Sequence, residues 1–97
     1  MERVKLVSTG LTDEREVLKR LKEEGYAVYV WEDPPGTYYP THTHPGKEVR
    51  WVLEGEVVIG AEGKELRLKP GDRLELEPGT PHWARTEKGV RYACGTK

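Results

Sequence analysis

Gly36-Thr37-Tyr38-Tyr39-Pro40-Thr41-His42-Thr43-His44-Pro45-Gly46-Lys47-Glu48-Val49-Arg50-Trp51-Val52-Leu53-Glu54-Gly55 holds two of the three histidines in a chain of 97 residues. His42 and His44 are two apart, and residues two apart on an extended strand project to the same face. Pro45-Gly46 is a turn signal, after which Glu48 can return on the neighbouring strand to the same point. The remaining histidine, His82, follows another turn, Pro78-Gly79-Thr80-Pro81. Three neutral imidazoles and one carboxylate form a ligand set for a divalent transition metal such as Fe, Mn, Ni, Zn or Cu. A six-coordinate ion would keep two positions for water or substrate.

The alternation that aims Glu48 also sorts its neighbours. Arg50 and Val52 share its face. Arg50 then lies beside the metal, where a guanidinium can clamp a carboxylate or phosphate in bidentate fashion. A bulge could instead turn it outward, or a neighbouring acid could pair with it. Tyr38, four residues before His42, shares the face of His42 and can line the pocket or pack near its mouth. Tyr39 and Trp83 fall on opposite faces from Tyr38 and His82 and read as packing. Val49, Trp51 and Leu53 point away from the ligand face and need cover. The helical stripe Val17, Leu18 and Leu21 is too narrow to cover a sheet, so a second copy is expected, in a homodimer. Cys94 alternates with Tyr92 and reads as a small apolar filler.

Further out, Gly and Pro punctuate short apolar runs. Asp13 can cap one helix over about residues 13–24, with Glu16 as its capping-box partner and Gly25 as its stop. Strands follow over Tyr26–Glu32, Glu48–Glu54, Glu56–Ala61, Lys64–Lys69, around Leu74 and Leu76, His82–Glu87 and Val90–Cys94. So many short strands indicate an all-β sandwich or barrel over about residues 26–95 rather than βαβ units.

Composition narrows the partners. Lys plus Arg number 16 and Asp plus Glu 17, a net charge of −1, which argues against nucleic acid or an anionic membrane. No apolar run approaches the ~20 residues of a membrane span. The charged start Met1-Glu2-Arg3-Val4-Lys5 is no signal peptide, so a cytoplasmic location is expected. One cysteine excludes an intrachain disulfide and a multi-cysteine zinc site. Asn and Gln are absent, and charged residues reach 34%, a bias of proteins that work hot. The length fits one domain, whose small core would gain from a metal or a partner subunit.

Gly36, five residues, His42-Thr43-His44, three residues, Glu48, six residues and Gly55 together resemble the first signature of the cupin superfamily. Gly71-Asp72 through Pro78-Gly79-Thr80-Pro81-His82 resembles the second, and the 15 residues between Gly55 and Gly71 match the compact spacing of small single-domain cupins. Glu77 stands where the second signature usually has proline, and Thr86 where it often ends in asparagine. The resemblance implies a jelly-roll barrel, the double-stranded β-helix, with a metal held inside by His42, His44, Glu48 and His82. It is compatible with dioxygenases, isomerases and decarboxylases alike. The expected function is a metal-dependent enzyme for a small oxygen-rich or anionic molecule, with Arg50 and Tyr38 in the pocket. A non-catalytic, metal-dependent small-molecule binding or sensing module is the other expectation.

Overall fold

Local signals set the elements in the computed structural model, which describes residues 3–97. Met1 and Glu2, part of the charged N-terminal run, lie outside the described residues. Helix α1 spans Glu14–Glu23. Asp13 caps it, accepting from the Glu16 N–H at 3.3 Å. Glu14 and Glu16 sit in the first turn and Arg20 and Lys22 in the last, each sign matched to the helix dipole.

The strands are β1 (Val4–Ser8), β2 (Ala27–Asp33), β3 (Tyr38–His42), β4 (Glu48–Gly55), β5 (Val57–Ala61), β6 (Lys64–Leu68), β7 (Asp72–Leu76), β8 (His82–Arg85) and β9 (Val90–Thr96). They form two antiparallel sheets, ordered β1-β7-β4-β9-β2 and β3-β8-β5-β6. The sheets face each other as a jelly roll. The signature glycines are sterically required. A Cβ on Gly55, at φ 78°, would stand 2.1 Å from the Gly89 carbonyl oxygen. A Cβ on Gly71, at φ 92°, would stand 2.8 Å from the Gly10 Cα. Any other residue there would have to displace backbone.

Strand β4 divides the apolar residues between two cores. Val52 faces the barrel interior with Val57, Ile59, Leu68, Leu74 and Tyr92. Val49, Trp51 and Leu53 lie on the outer face with Val17, Leu21, Tyr26 and Ala93. The indole N–H of Trp51 donates to the Leu11 carbonyl at 2.9 Å. Arg73 stacks 5.4 Å from the Trp51 ring and grips Glu24 with two bonds of 2.7 and 2.6 Å. Arg91 binds Glu14 at the other end of the helix and Glu32 at 3.0 Å.

The outer face is therefore covered within one chain. Val49 is fully buried and Trp51 is 1% exposed. The expected need for a second copy rested on the narrowness of the helix stripe. Leu11 and Tyr26 widen that stripe from either side of α1, so this face gives no reason for a dimer. Truncating the cover should be costly. Leu21→Ala is expected to lower the unfolding free energy by about 2–5 kcal/mol in denaturant melts. A loss below about 1 kcal/mol would mean the face is held by something other than α1.

Candidate metal centre

Strands β3 and β8 pair so that His42 lies directly opposite His82. The pairing register shifts between Tyr39 and His42, around Pro40, which has no N–H to give to a ladder. His44 lies just past the end of β3, in the crossing to β4. Only His42 of the His-Thr-His pair is thus on the strand. Glu48 arrives on β4 from the facing sheet, not from a hydrogen-bonded neighbour of β3.

The three rings nevertheless converge. Their centroids are 4.8 Å (His42–His44), 4.4 Å (His42–His82) and 5.2 Å (His44–His82) apart. One nitrogen from each ring lies within 4.8 Å of the others. Two of the tautomers follow from their partners, because a carbonyl can only accept. His42 Nδ1 donates to the Pro40 carbonyl at 2.7 Å, and His82 Nδ1 donates to the Thr80 carbonyl at 3.0 Å. Both Nε2 atoms are then bare lone pairs in the neutral rings. His44 Nε2 is buried with no hydrogen-bond partner. Ligating histidines are commonly oriented in this way, with one nitrogen on a backbone carbonyl and the other on the ion. The donor set fits a divalent transition ion.

Glu48 stands outside this three-histidine group. It is 6% exposed. Its Oε1 is 3.6 Å from His44 Nδ1 and 3.4 Å from Arg50 Nη2, while its Oε2 is buried without a partner. Arg50 faces inward as its parity required, and it also donates to the Val49 carbonyl at 3.1 Å.

A cavity of about 490 Å³ opens beside the histidines, its other walls including Tyr29, Trp31, Tyr39, Arg50, Tyr92 and Cys94. Tyr38 does not line it. That side chain is exposed, and Tyr39 takes the inward place expected for Tyr38 because the bulge at Pro40 reverses the parity of the strand before it. Proline inside a strand-like run was the available signal. Burial pushes the Cys94 thiol up to about 11, so it is a neutral wall group at ordinary pH. Thr86 donates to the Glu56 carbonyl at 2.6 Å and accepts from the Gly89 N–H at 2.9 Å, which holds the turn between β8 and β9.

Asp33 carried no signal in the sequence, and Tyr39, expected to pack, is tied to it together with Trp31 and Tyr92. Asp33 is 6% exposed. Its Oδ1 accepts from the Trp31 indole at 2.9 Å and the Tyr39 hydroxyl at 2.5 Å, and its Oδ2 accepts from the Tyr92 hydroxyl at 2.8 Å.

With that geometry in view, the Cupin domain family matches residues 29–94. The chain belongs to that family. It is similar to dimethylsulfoniopropionate lyase DddQ of Ruegeria pomeroyi, 42% identical over 64 residues, covering 65% of this chain and 32% of that protein. The crystal structure of that lyase superposes with a TM-score of 0.69 at 36% identity, covering 74% of this chain and 38% of the other. Acireductone dioxygenase of Microcystis aeruginosa is 34% identical over 65 residues, covering 57% of this chain and 36% of that one. The HTH-type transcriptional regulator PuuR of Escherichia coli is 34% identical over 61 residues, covering 56% and 33%. The chain spans about a third of the length of these relatives.

Burial holds His44 and His82 below the ordinary imidazole range, and the neighbouring histidines add to the effect. Below about pH 6.5 the unfolded chain therefore takes up protons that the folded site resists. The thermal midpoint of metal-free protein should fall as pH drops from about 7.5 to about 5.5, and less steeply in a His44→Gln/His82→Gln double variant. Equal slopes for the two proteins would show that these rings do not titrate against folding.

Proposed function

We propose that this cupin is a metal-dependent enzyme acting on a small molecule that carries an oxyanion. One observation supports this above others: three imidazole nitrogens converge on the wall of a cavity that also holds a largely buried guanidinium. His42, His44 and His82 would hold a divalent first-row ion. Glu48 would complete the set by turning from Arg50, or would stay in place and orient His44. The ion would supply Lewis acidity, or O₂ activation if it is redox-active.

The chain's own residues supply the rest. Arg50 orients the anionic group through its free N–H positions. Trp31, Tyr39 and Tyr92 line the side of the cavity toward Asp33. Charge bookkeeping supports an anionic ligand. Asp33 and Glu48 against Arg50 leave one net negative charge around the cavity, which favours a dication. With a dication in place the balance becomes one net positive charge, which an oxyanion group at the histidine end offsets. The similarity to a lyase and to a dioxygenase favours catalysis, and neither whole-protein activity carries over at a third of the length. The similarity to a transcriptional regulator favours the second reading, a metal-dependent sensing module.

The test uses Ni²⁺ and propanoate in titration calorimetry. His82→Ala should weaken Ni²⁺ binding by at least about a hundredfold. Arg50→Met should keep Ni²⁺ and weaken propanoate about tenfold. Retained Ni²⁺ affinity in His82→Ala would end the metal reading. Undiminished propanoate binding in Arg50→Met would remove Arg50 from the site. A bound ligand released unchanged from metal-loaded protein, as followed by mass spectrometry, would favour the sensor over the enzyme.

A further inference from the structure

We infer that the oxyanion taken up beside the histidines belongs to a small zwitterion whose cationic end lies against the wall built on Asp33; the inference rests on the function proposed above. The argument is an account of donors. An ionised carboxylate only accepts, so the three groups bonded to Asp33 must all donate to it. Trp31 has one polar hydrogen, and Tyr39 and Tyr92 have one each. All three point at Asp33. Toward the cavity these side chains can offer only phenol lone pairs and π faces. The Tyr39 and Tyr92 hydroxyls stay protonated, the first held up chiefly by its bond to Asp33 and the second chiefly by burial.

Such a wall cannot solvate an anion. It can receive a cation. Among the described residues no Lys or Arg forms an ion pair with Asp33. Its negative charge therefore stands behind aromatic groups whose faces are themselves electron-rich. Of these groups Trp31 is the open one, 51% exposed, and Tyr39 and Tyr92 line the cavity beside it. This is the composition that attracts ammonium and other onium groups.

The strand register separates this wall from the anion end. Arg50 lies opposite Cys94 on β9, and Cys94 lies opposite Tyr29 on β2. Asp33 is four residues further along β2, opposite Val90. Four residues of strand span about 13 Å, and the lining residues Trp31 and Tyr92, opposite each other on β2 and β9, stand about half that distance along. The two ends are thus distinct, and a ligand must be several bonds long to reach from one toward the other. A single-charged anion would use one end only.

The test compares two probes by titration calorimetry on Zn²⁺-loaded protein. One is γ-trimethylammoniobutanoate. The other is its neutral-tailed isostere, in which quaternary carbon replaces nitrogen and shape is preserved. The zwitterion should bind about tenfold more tightly. In Asp33→Asn the preference should shrink to about twofold or less. The amide has lost the charge, and its NH₂ forces one hydroxyl to accept, freeing that hydroxyl's hydrogen toward the cavity. Equal or tighter binding of the isostere to the native protein would overturn the inference, and that comparison decides even where Asp33→Asn does not fold. An unchanged preference in a folded Asp33→Asn would remove Asp33 from the explanation. Binding of the isostere alone would keep the anion site and reject the cationic wall. Binding of neither probe would reject the anion site, and the inference with it.

Discussion

Strand β4 cannot turn Glu48, Arg50 and Val52 inward without turning Val49, Trp51 and Leu53 outward, and both halves of the molecule answer that parity. The inward set needs a barrel with room for charge. The outward set needs an apolar lid. The helix meets the second need because its narrow stripe is extended by Leu11 before it and Tyr26 after it. Arg73 then serves two purposes, since one guanidinium stacks on Trp51 and holds Glu24 at the helix end. A shift of one residue in the pairing of β4 with β7 and β9 would exchange the two sets. It would turn Trp51 into the histidine-lined pocket and Arg50 toward the helix, so the turns that fix the register also fix which residues line the pocket. Gly55 and Gly71 are two of those turns, and each has backbone where a side chain would go.

Inside the barrel the polar groups are arranged by what each can give. His42 and His82 spend their one N–H on backbone carbonyls and keep their lone pairs for the centre. Trp31, Tyr39 and Tyr92 spend theirs on Asp33. Arg50, which has five donors, spends two on Val49 and Glu48 and has donors left for the cavity. The pocket therefore has few donors to offer a ligand, and the richest source lies level with the histidine end. An oxyanion has one region to go to. Neutral imidazoles serve that region better than charged ones, and burial keeps two of the rings below their ordinary pKa.

Much of this was legible in the residues. The glycine frame, the three histidines and the turn-punctuated strands pointed to the fold, and the parity of β4 placed Arg50 correctly. The ends of the seven strands named came within about two residues because proline and glycine mark them, while β1 and β3 were not delimited. What stayed hidden depended on contacts between distant segments. The cover on Trp51 could not be read from the helix stripe, because Leu11 and Tyr26 lie outside the helix. The position of Glu48 in the facing sheet could not be read from local spacing, since Pro45-Gly46 looks like a hairpin turn and is part of a crossing between sheets. Asp33 was invisible for a similar reason. Two of its three partners are close in sequence, but nothing local says that a carboxylate at the end of β2 turns inward to meet Tyr92, 59 residues away.

The bulge at Pro40 is what joins the two ends of the cavity. Tyr39 and His42 are three residues apart, and on a regular strand they would face opposite sides. Both line the cavity. The parity must be broken between them, and a bulge is the least disruptive way to do it. Proline is tolerated there because β3 is an edge strand, with no ladder to satisfy on its free side. Tyr38 is turned out to solvent as a consequence, and Tyr39 is delivered to Asp33. The same single irregularity thus sets the ring of His42 opposite His82 and closes the donor account of the Asp33 wall. A proline that looks like mere punctuation between strands decides which tyrosine faces the cavity.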